Sequence, residues 1–451
     1  VVDHLETTVG TVSARATSGG IYLFESNGVT VGDVAVTTNR VGVTGETTTN
    51  DSSDSTQSDL RTTANNGNIV LVAGGTLILD DGTATADSTA ISAHGSGNIL
   101  LKTTSGLLDI NAAVKSDTGN ITIWNTTGAI EQDAVTISTD GGTIDIEAMD
   151  ATNGSITMVA GSTIVTDGNS TTGGNIRLKS GAGMSITGIN AGSAHVSLLA
   201  GSFIKDIGET TTDVVANHLR IDAGSWVGEA SGTNLGLLDI SVTRLSVRAG
   251  NSIYFNELSD ITVDTTDAST VNRVKDDGGV LNSVETDAKQ SDLVTTANDG
   301  NIVLVAAGNL TFNDGTDVLA GENVTEDNTN GEVVSANGNG NILLKTTVGT
   351  LAINSAVKSG SGNISIINTT GAITQGAVTI STDGGTIDVE ATAGAITLVS
   401  GSRIISDGDT TTGGNIRIKS GADMSITGIN AGSANVSLFA GSFIKDIGEA
   451  I

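Results

Sequence analysis

The chain has no cysteine and no proline, and only 2% of its residues are aromatic. Without cysteine there are no disulfides and no thiolate metal sites. Without proline no backbone N–H is missing, which suits a regular β structure in which every donor is wanted. So few aromatics cannot fill a thick globular core, so the interior must be thin and built from Ile, Val, Leu and Ala. Positive charge is scarce: 20 Lys and Arg stand against 50 Asp and Glu, a net charge of -30. This balance argues against nucleic-acid binding, which needs a basic stripe to displace counterions. No apolar run approaches the roughly 20 residues of a transmembrane helix, and no signal peptide is visible. The four histidines, His4, His94, His195 and His218, are scattered. There is no G-x-S-x-G elbow, no H-E-x-x-H and no phosphate loop.

What the chain does contain is itself, twice. D-L-R-T-T-A-N-N-G from Asp59 returns as D-L-V-T-T-A-N-D-G from Asp292, 233 positions later. The offset is 243 between Asn98 and Asn341 and 240 between Lys205 and Lys445, so the fold must absorb small insertions. Val12 to Ala16 and Leu245 to Ala249 extend the correspondence toward the start. We read residues 1–58 as the end of a preceding repeat, 59–291 as a first full repeat and 292–451 as a second, truncated one. A chain that opens on Val1 and breaks off inside a repeat is expected to be a window in a longer repeat protein.

A finer period lies inside each repeat. Glycine, then asparagine or another small residue, then alternating aliphatics recur at Gly67-Asn68-Ile69, Gly97-Asn98-Ile99, Gly119-Asn120-Ile121, Gly142-Thr143-Ile144 and Gly174-Asn175-Ile176. Alternation such as Ile176 and Leu178 against Arg177 and Lys179 places one set inside and the other in water. Helical periodicity is not sustained, and abundant Thr, Val and Ile favour strands. Three short strands per rung of about 20–23 residues describe an all-β, right-handed parallel β-helix with protruding loops. A solenoid of this kind lengthens at constant cross-section where a single core would split. Stacked rungs should set Ile69, Ile99, Ile121, Ile144 and Ile176 in one interior column. Asn68, Asn98, Asn120 and Asn175 should form an asparagine ladder, repeated by Asn301, Asn341, Asn363 and Asn415, with the preceding glycines at positive φ. The Thr-, Asp- and Asn-rich stretches at about 40–60, 81–95, 209–235 and 312–338 read as loops.

The phrases G-N-I-V-L-V-A at Gly67 to Ala73 and Gly300 to Ala306, and G-G-T-I-D-I-E-A at Gly141 to Ala148, resemble the rungs of large secreted haemagglutinin-like exoproteins of bacteria. That resemblance implies a structural, extracellular, cell-surface protein: part of a giant adhesin or filament that spans distance and mediates attachment. It also implies end-to-end self-association or covalent continuation into further repeats, and a cell-surface glycan or protein as receptor.

Candidate chemistry is sparse. Asp-rich turns at Asp140 with Asp145, and at Asp383 with Asp388, offer carboxylates near carbonyl oxygens, a donor set suited to calcium; no other cofactor is expected. Parallel β-helices include polysaccharide lyases and hydrolases, but an active site is a singular departure from a repeat, and the charged pair Lys205-Asp206 simply returns as Lys445-Asp446. The chain is therefore not expected to be an enzyme. A carbohydrate-binding module is the alternative, with Trp226, outside the doubled phrases, as the stacking candidate.

Overall fold

The computed structural model describes residues 3–84, 87–167, 173–229, 236–315, 331–408 and 412–447. The chain is a parallel β-solenoid: no helix occurs among these residues, and short strands stack rung on rung in long parallel ladders. Packing divides it into two units, Val1–Ala194 with Thr270–Glu285, and His195–Ser269 with Thr286–Ile451. This division follows space and cuts across the sequence repeats.

In the first unit each rung presents three faces. The first face stacks Ile21–Glu25, Ile69–Ala73, Ile99–Thr103, Ile121–Asn125, Ile144–Ala148 and Ile176–Ser180 in unbroken register. Ile69, Ile99, Ile121, Ile144 and Ile176 thus form the expected column, each with no exposed surface. Full burial of such a side chain contributes about 1.5–3 kcal/mol. Leu77–Leu79, Leu108–Ile110, Ile130–Gln132 and Ile156–Met158 stack on the second face. Leu60–Thr62, Thr89–Ala93, Ala113–Ser116, Thr136–Ser138 and Thr163–Val165 stack on the third. The second unit repeats the scheme, with Ile253, Ile302, Ile342, Ile364, Ile387 and Ile416 in register.

Before the first-face strands runs the asparagine ladder. Asn68 Oδ1 accepts from the Asn98 N–H at 2.9 Å, Asn98 Oδ1 from the Asn120 N–H at 2.9 Å, and Asn120 Oδ1 from the Thr143 N–H at 3.0 Å. Asn301, Asn341, Asn363 and Thr386 reproduce it at 2.8–2.9 Å. The glycines beside the ladder are needed for a different reason from the one expected. Gly67, Gly97, Gly119 and Gly142 do not have positive φ. Instead, a Cβ on Gly119 would sit 2.1 Å from the Gly97 carbonyl oxygen, and one on Gly142 the same distance from that of Gly119. Backbone stacks on backbone there, and a side chain has no room. Hydroxyls cap those carbonyls from inside: Ser116 donates to Gly97 O and Thr139 to Gly119 O, each at 2.7 Å.

The four expected loops are only partly loops. Thr89–Ala93 and Glu332–Ala336 are rung strands, and Val214–Ala223 is a ten-residue strand paired with Leu238–Ala249. Residues 85–86, 230–235 and 316–330 of those stretches lie outside the described residues. A rung strand needs only one or two inward aliphatics, so a Thr- and Asp-rich composition does not forbid it. Thr37–Val41 and Thr47–Ser53 form an antiparallel hairpin.

Replacing Ile121 with Lys, whose burial should cost several kcal/mol, is expected to raise hydrogen exchange in the rungs holding Ile99 and Ile144 and to leave the second unit protected. Equal loss of protection across both units would contradict nearest-neighbour stability.

Candidate interaction site

The outward side chains of the first face distinguish the two repeats. In the first repeat Val70, Val72, Leu100, Thr122, Asp145, Glu147 and Arg177 are all buried. Their equivalents in the second, Val303, Val305, Leu343, Ser365, Asp388, Glu390 and Arg417, are all partly exposed. The residues are nearly the same, so the difference comes from what lies over them.

In the first unit that cover is the segment Thr270–Glu285, a strap that crosses successive rungs along the asparagine ladder. Asn175 Nδ2 donates to Thr270 O at 2.8 Å, the Asn272 N–H to Thr143 Oγ1 at 2.8 Å, the Val274 N–H to Thr122 Oγ1 at 2.9 Å, and Asn98 Nδ2 to Gly278 O at 3.0 Å. Val274 packs against Val70, Val72 and Leu100, with Tyr22 and Val280 at the margin. The strap is antiparallel within itself, the Arg273 N–H bonding Ser283 O at 2.8 Å, and it turns at Gly278, whose φ of 76° needs glycine.

Arg273 is its anchor. Its Nε reaches Asp145 at 3.0 Å, its Nη2 pairs with Glu147 and its Nη1 lies 2.8 Å from Glu285. Arg177 pairs with the same two rung carboxylates, at 3.0 Å from Asp145. The guanidinium carbon of Arg273 stands 4.5 Å from the centre of the Trp124 ring, a cation–π contact. In the second repeat Ile367 stands in place of Trp124. There Arg417 meets Asp388 at 2.6 Å and Glu390 at 2.8 Å, and Lys419 meets Glu390 at 2.8 Å. The side chains of Arg417 and Asp388 are 43% and 36% exposed, against 4% and 0% for Arg177 and Asp145. Cover changes the electrostatics accordingly. Burial, then the charge of Glu147, pushes the Asp145 carboxyl up against the pull of the two arginines. On the open strip Lys419 and then Arg417 hold Glu390 below its ordinary value.

Asp145 and Asp388, expected as calcium ligands, are thus both engaged by arginine. Asp140 and Asp383 mark the corner before them, where the Asp140 N–H bonds Asp117 O at 2.8 Å. The two described groupings tight enough for one cation lie elsewhere: His195, His218 and Asp267, and Asp206, Glu209 and Asp213. Burial, first among its causes, pushes Asp213 up to about 9 and His218 down to about 4. His195 and His218 looked scattered, yet they pair across neighbouring strands with ring centroids 4.4 Å apart. Their separation of 23 positions, one rung, was the available signal. Trp226 stacks on Phe203 at 4.8 Å and, with Tyr254, Glu229 and Asn251, lines a shallow recess.

Comparison of the chain with protein-family models, with curated proteins and with solved structures gave no match.

Arg273→Ala removes one guanidinium from a buried cluster and should cost about 3–5 kcal/mol locally. The expected result is faster hydrogen exchange across Thr270–Glu285 and altered Trp124 emission in a Trp226→Phe background; unchanged exchange there would mean that Arg273 does not anchor the strap.

A pH dependence follows from Glu257, which burial pushes up from 4.5 to about 7. It accepts the Val242 N–H at 3.0 Å and the Ser259 N–H at 2.8 Å. Because the folded chain holds this proton more tightly than the unfolded chain, stability falls as pH rises from 4.5 to about 7. Denaturation midpoints should decline over that window, and less steeply in Glu257→Gln; an equal slope in the variant would assign the effect elsewhere.

Proposed function

We propose that this chain is a structural extracellular β-solenoid, a stretch of a repetitive cell-surface adhesin or filament that holds binding loops at a distance from the cell. The observation that carries this reading is where the recurring polar residues go. Asparagines bond the next rung, hydroxyls cap glycine carbonyls, and the charged strip binds either its own arginine or a strap. These are scaffold roles, and they recur with the repeat. Calcium at the Asp-rich turns and continuation end to end into further repeats belong to the same proposal, as does the resemblance of the G-N-I-V-L-V-A rungs to haemagglutinin-like exoproteins. The acidic surface keeps neighbouring solenoids from clumping sideways.

Glycan binding is a narrower second reading. It is favoured by the Phe203–Trp226 stack beside Tyr254 and Glu229, an arrangement of flat apolar rings with polar neighbours.

Beads coated with the chain are expected to attach to cell surfaces or extracellular matrix and to release no reducing ends from acidic polysaccharides. Attachment no better than that of albumin-coated beads would overturn the adhesive reading. Polysaccharide cleavage abolished by a single substitution would replace it with an enzyme. Loss of attachment in Trp226→Ala would assign the contact to the recess.

A further inference from the structure

The strap has a counterpart earlier in the chain. T-T-N-R-V at Thr37 to Val41 answers T-V-N-R-V at Thr270 to Val274 at the same 233-position offset as the surrounding repeat. The likeness extends to geometry. In the earlier hairpin the Gly42 N–H bonds Glu46 O at 2.9 Å and the Gly45 N–H bonds Gly42 O at 3.0 Å; in the strap the Lys275 N–H bonds Gly279 O at 2.9 Å and the Gly278 N–H bonds Lys275 O at 2.8 Å. Gly45 and Gly278 take φ of 80° and 76°. Arg40 reaches across its hairpin to Ser52, as Arg273 reaches Glu285 at the matching position. Yet the two hairpins differ in setting. Every residue of Thr37–Val41 is exposed, and Val41, the counterpart of buried Val274, is 63% exposed.

The molecule therefore carries an occupied strap-and-strip pair, an open hairpin of the strap's sequence and turn, and an open strip of nearly the same sequence as the covered one. From these we infer that the Thr37–Ser53 hairpin of one molecule docks on the open strip of a second molecule of this chain. Resting on the proposal of end-to-end continuation, it names the contact that would make it. Arg40 would enter the cluster of Asp388, Glu390 and Arg417 as Arg273 enters that of Asp145, Glu147 and Arg177. The second strip holds Arg417 and Lys419 against two carboxylates that stay partly exposed, and Arg40 would take beside Asp388 and Glu390 the place that Arg273 takes beside Asp145 and Glu147. Val41 would seat on Val303, Val305 and Leu343, which are the counterparts of the three side chains that hold Val274. The ladder residues that bond the strap backbone, Asn98, Thr143 and Asn175, recur as Asn341, Thr386 and Asn415, and Asn120, which accepts from the Asn272 side chain, recurs as Asn363. The contact joins two different surfaces, so it does not close on itself: each molecule offers one hairpin and one strip, and association proceeds head to tail.

The absence of native cysteine makes the test direct. Chains carrying Val41→Cys are mixed with chains carrying Leu343→Cys under mild oxidation, and separately with chains carrying Leu281→Cys, an exposed position on the strap that is not among the strip residues. The inference expects a disulfide-linked pair from the first mixture well above the level from the second. Sedimentation of the unmodified chain should show concentration-dependent association, weakened on the order of a hundredfold by Arg40→Glu, an exposed residue whose replacement leaves the fold intact. Equal cross-linking in both mixtures, a monomer at every concentration, or association indifferent to Arg40→Glu would each overturn it. A monomeric chain that still attached beads to cell surfaces would end this inference while sparing the adhesive reading.

Discussion

Parallel strands in one ladder lie about 4.8 Å apart, and everything else in this chain answers to that spacing. At that separation a residue meets its own equivalent from the neighbouring rung, so whatever suits a position once suits it repeatedly. Ile121 lies between Ile99 and Ile144, and Asn98 between Asn68 and Asn120. The same spacing excludes side chains where the corner carbonyls converge, which is why glycine recurs there. It also explains how a chain so poor in aromatics stays folded: the interior is narrow enough for aliphatics to fill almost all of it, with Phe255 and Phe312 as buried aromatic exceptions.

The elements legible in the sequence are those that follow from this stacking. The isoleucine column and the asparagine ladder could be read because their period is one rung and their partners lie one rung away. The strap could not, because its partners lie far back along the chain: Gly278 accepts from Asn98, 180 positions earlier, and Val274 clusters with Val70, 204 positions earlier. Nothing in its local composition separates it from a surface loop. The arginine pairing of the aspartates was hidden for a related reason. Asp145 and Glu147 sit on alternate positions of one strand, and Arg177 aligns with Asp145 on the next, so a turn rich in carboxylates became an ion-pair strip once a neighbour was stacked on it. The stretch at 209–235 was obscured by its composition, although V-V-A-N-H-L-R-I-D-A alternates well enough to be a strand.

Doubling the sequence works as an internal control. The strips of the two repeats differ at Thr122 versus Ser365 and Trp124 versus Ile367 among the outward positions compared, yet one is buried and the other open. Burial at these positions is a property of the cover and not of the strand. Carboxylates accordingly shift in opposite senses on the two strips: burial raises Asp145 beneath the strap, and the hydrogen bonds of Lys419 and Arg417 lower Glu390 on the open strip.

The strap also bears on how the first unit would respond to force. Its hydrogen bonds fall on Asn175, Thr143, Thr122 and Asn98, each on a different rung. Peeling rungs apart one at a time normally breaks only one strand interface per step. With the strap in place, separating any two of those rungs also shears a second load path that runs across them, so adjacent rungs resist together. A scaffold otherwise stabilised only between neighbours acquires, over that stretch, the behaviour of a laminate with a stitched seam.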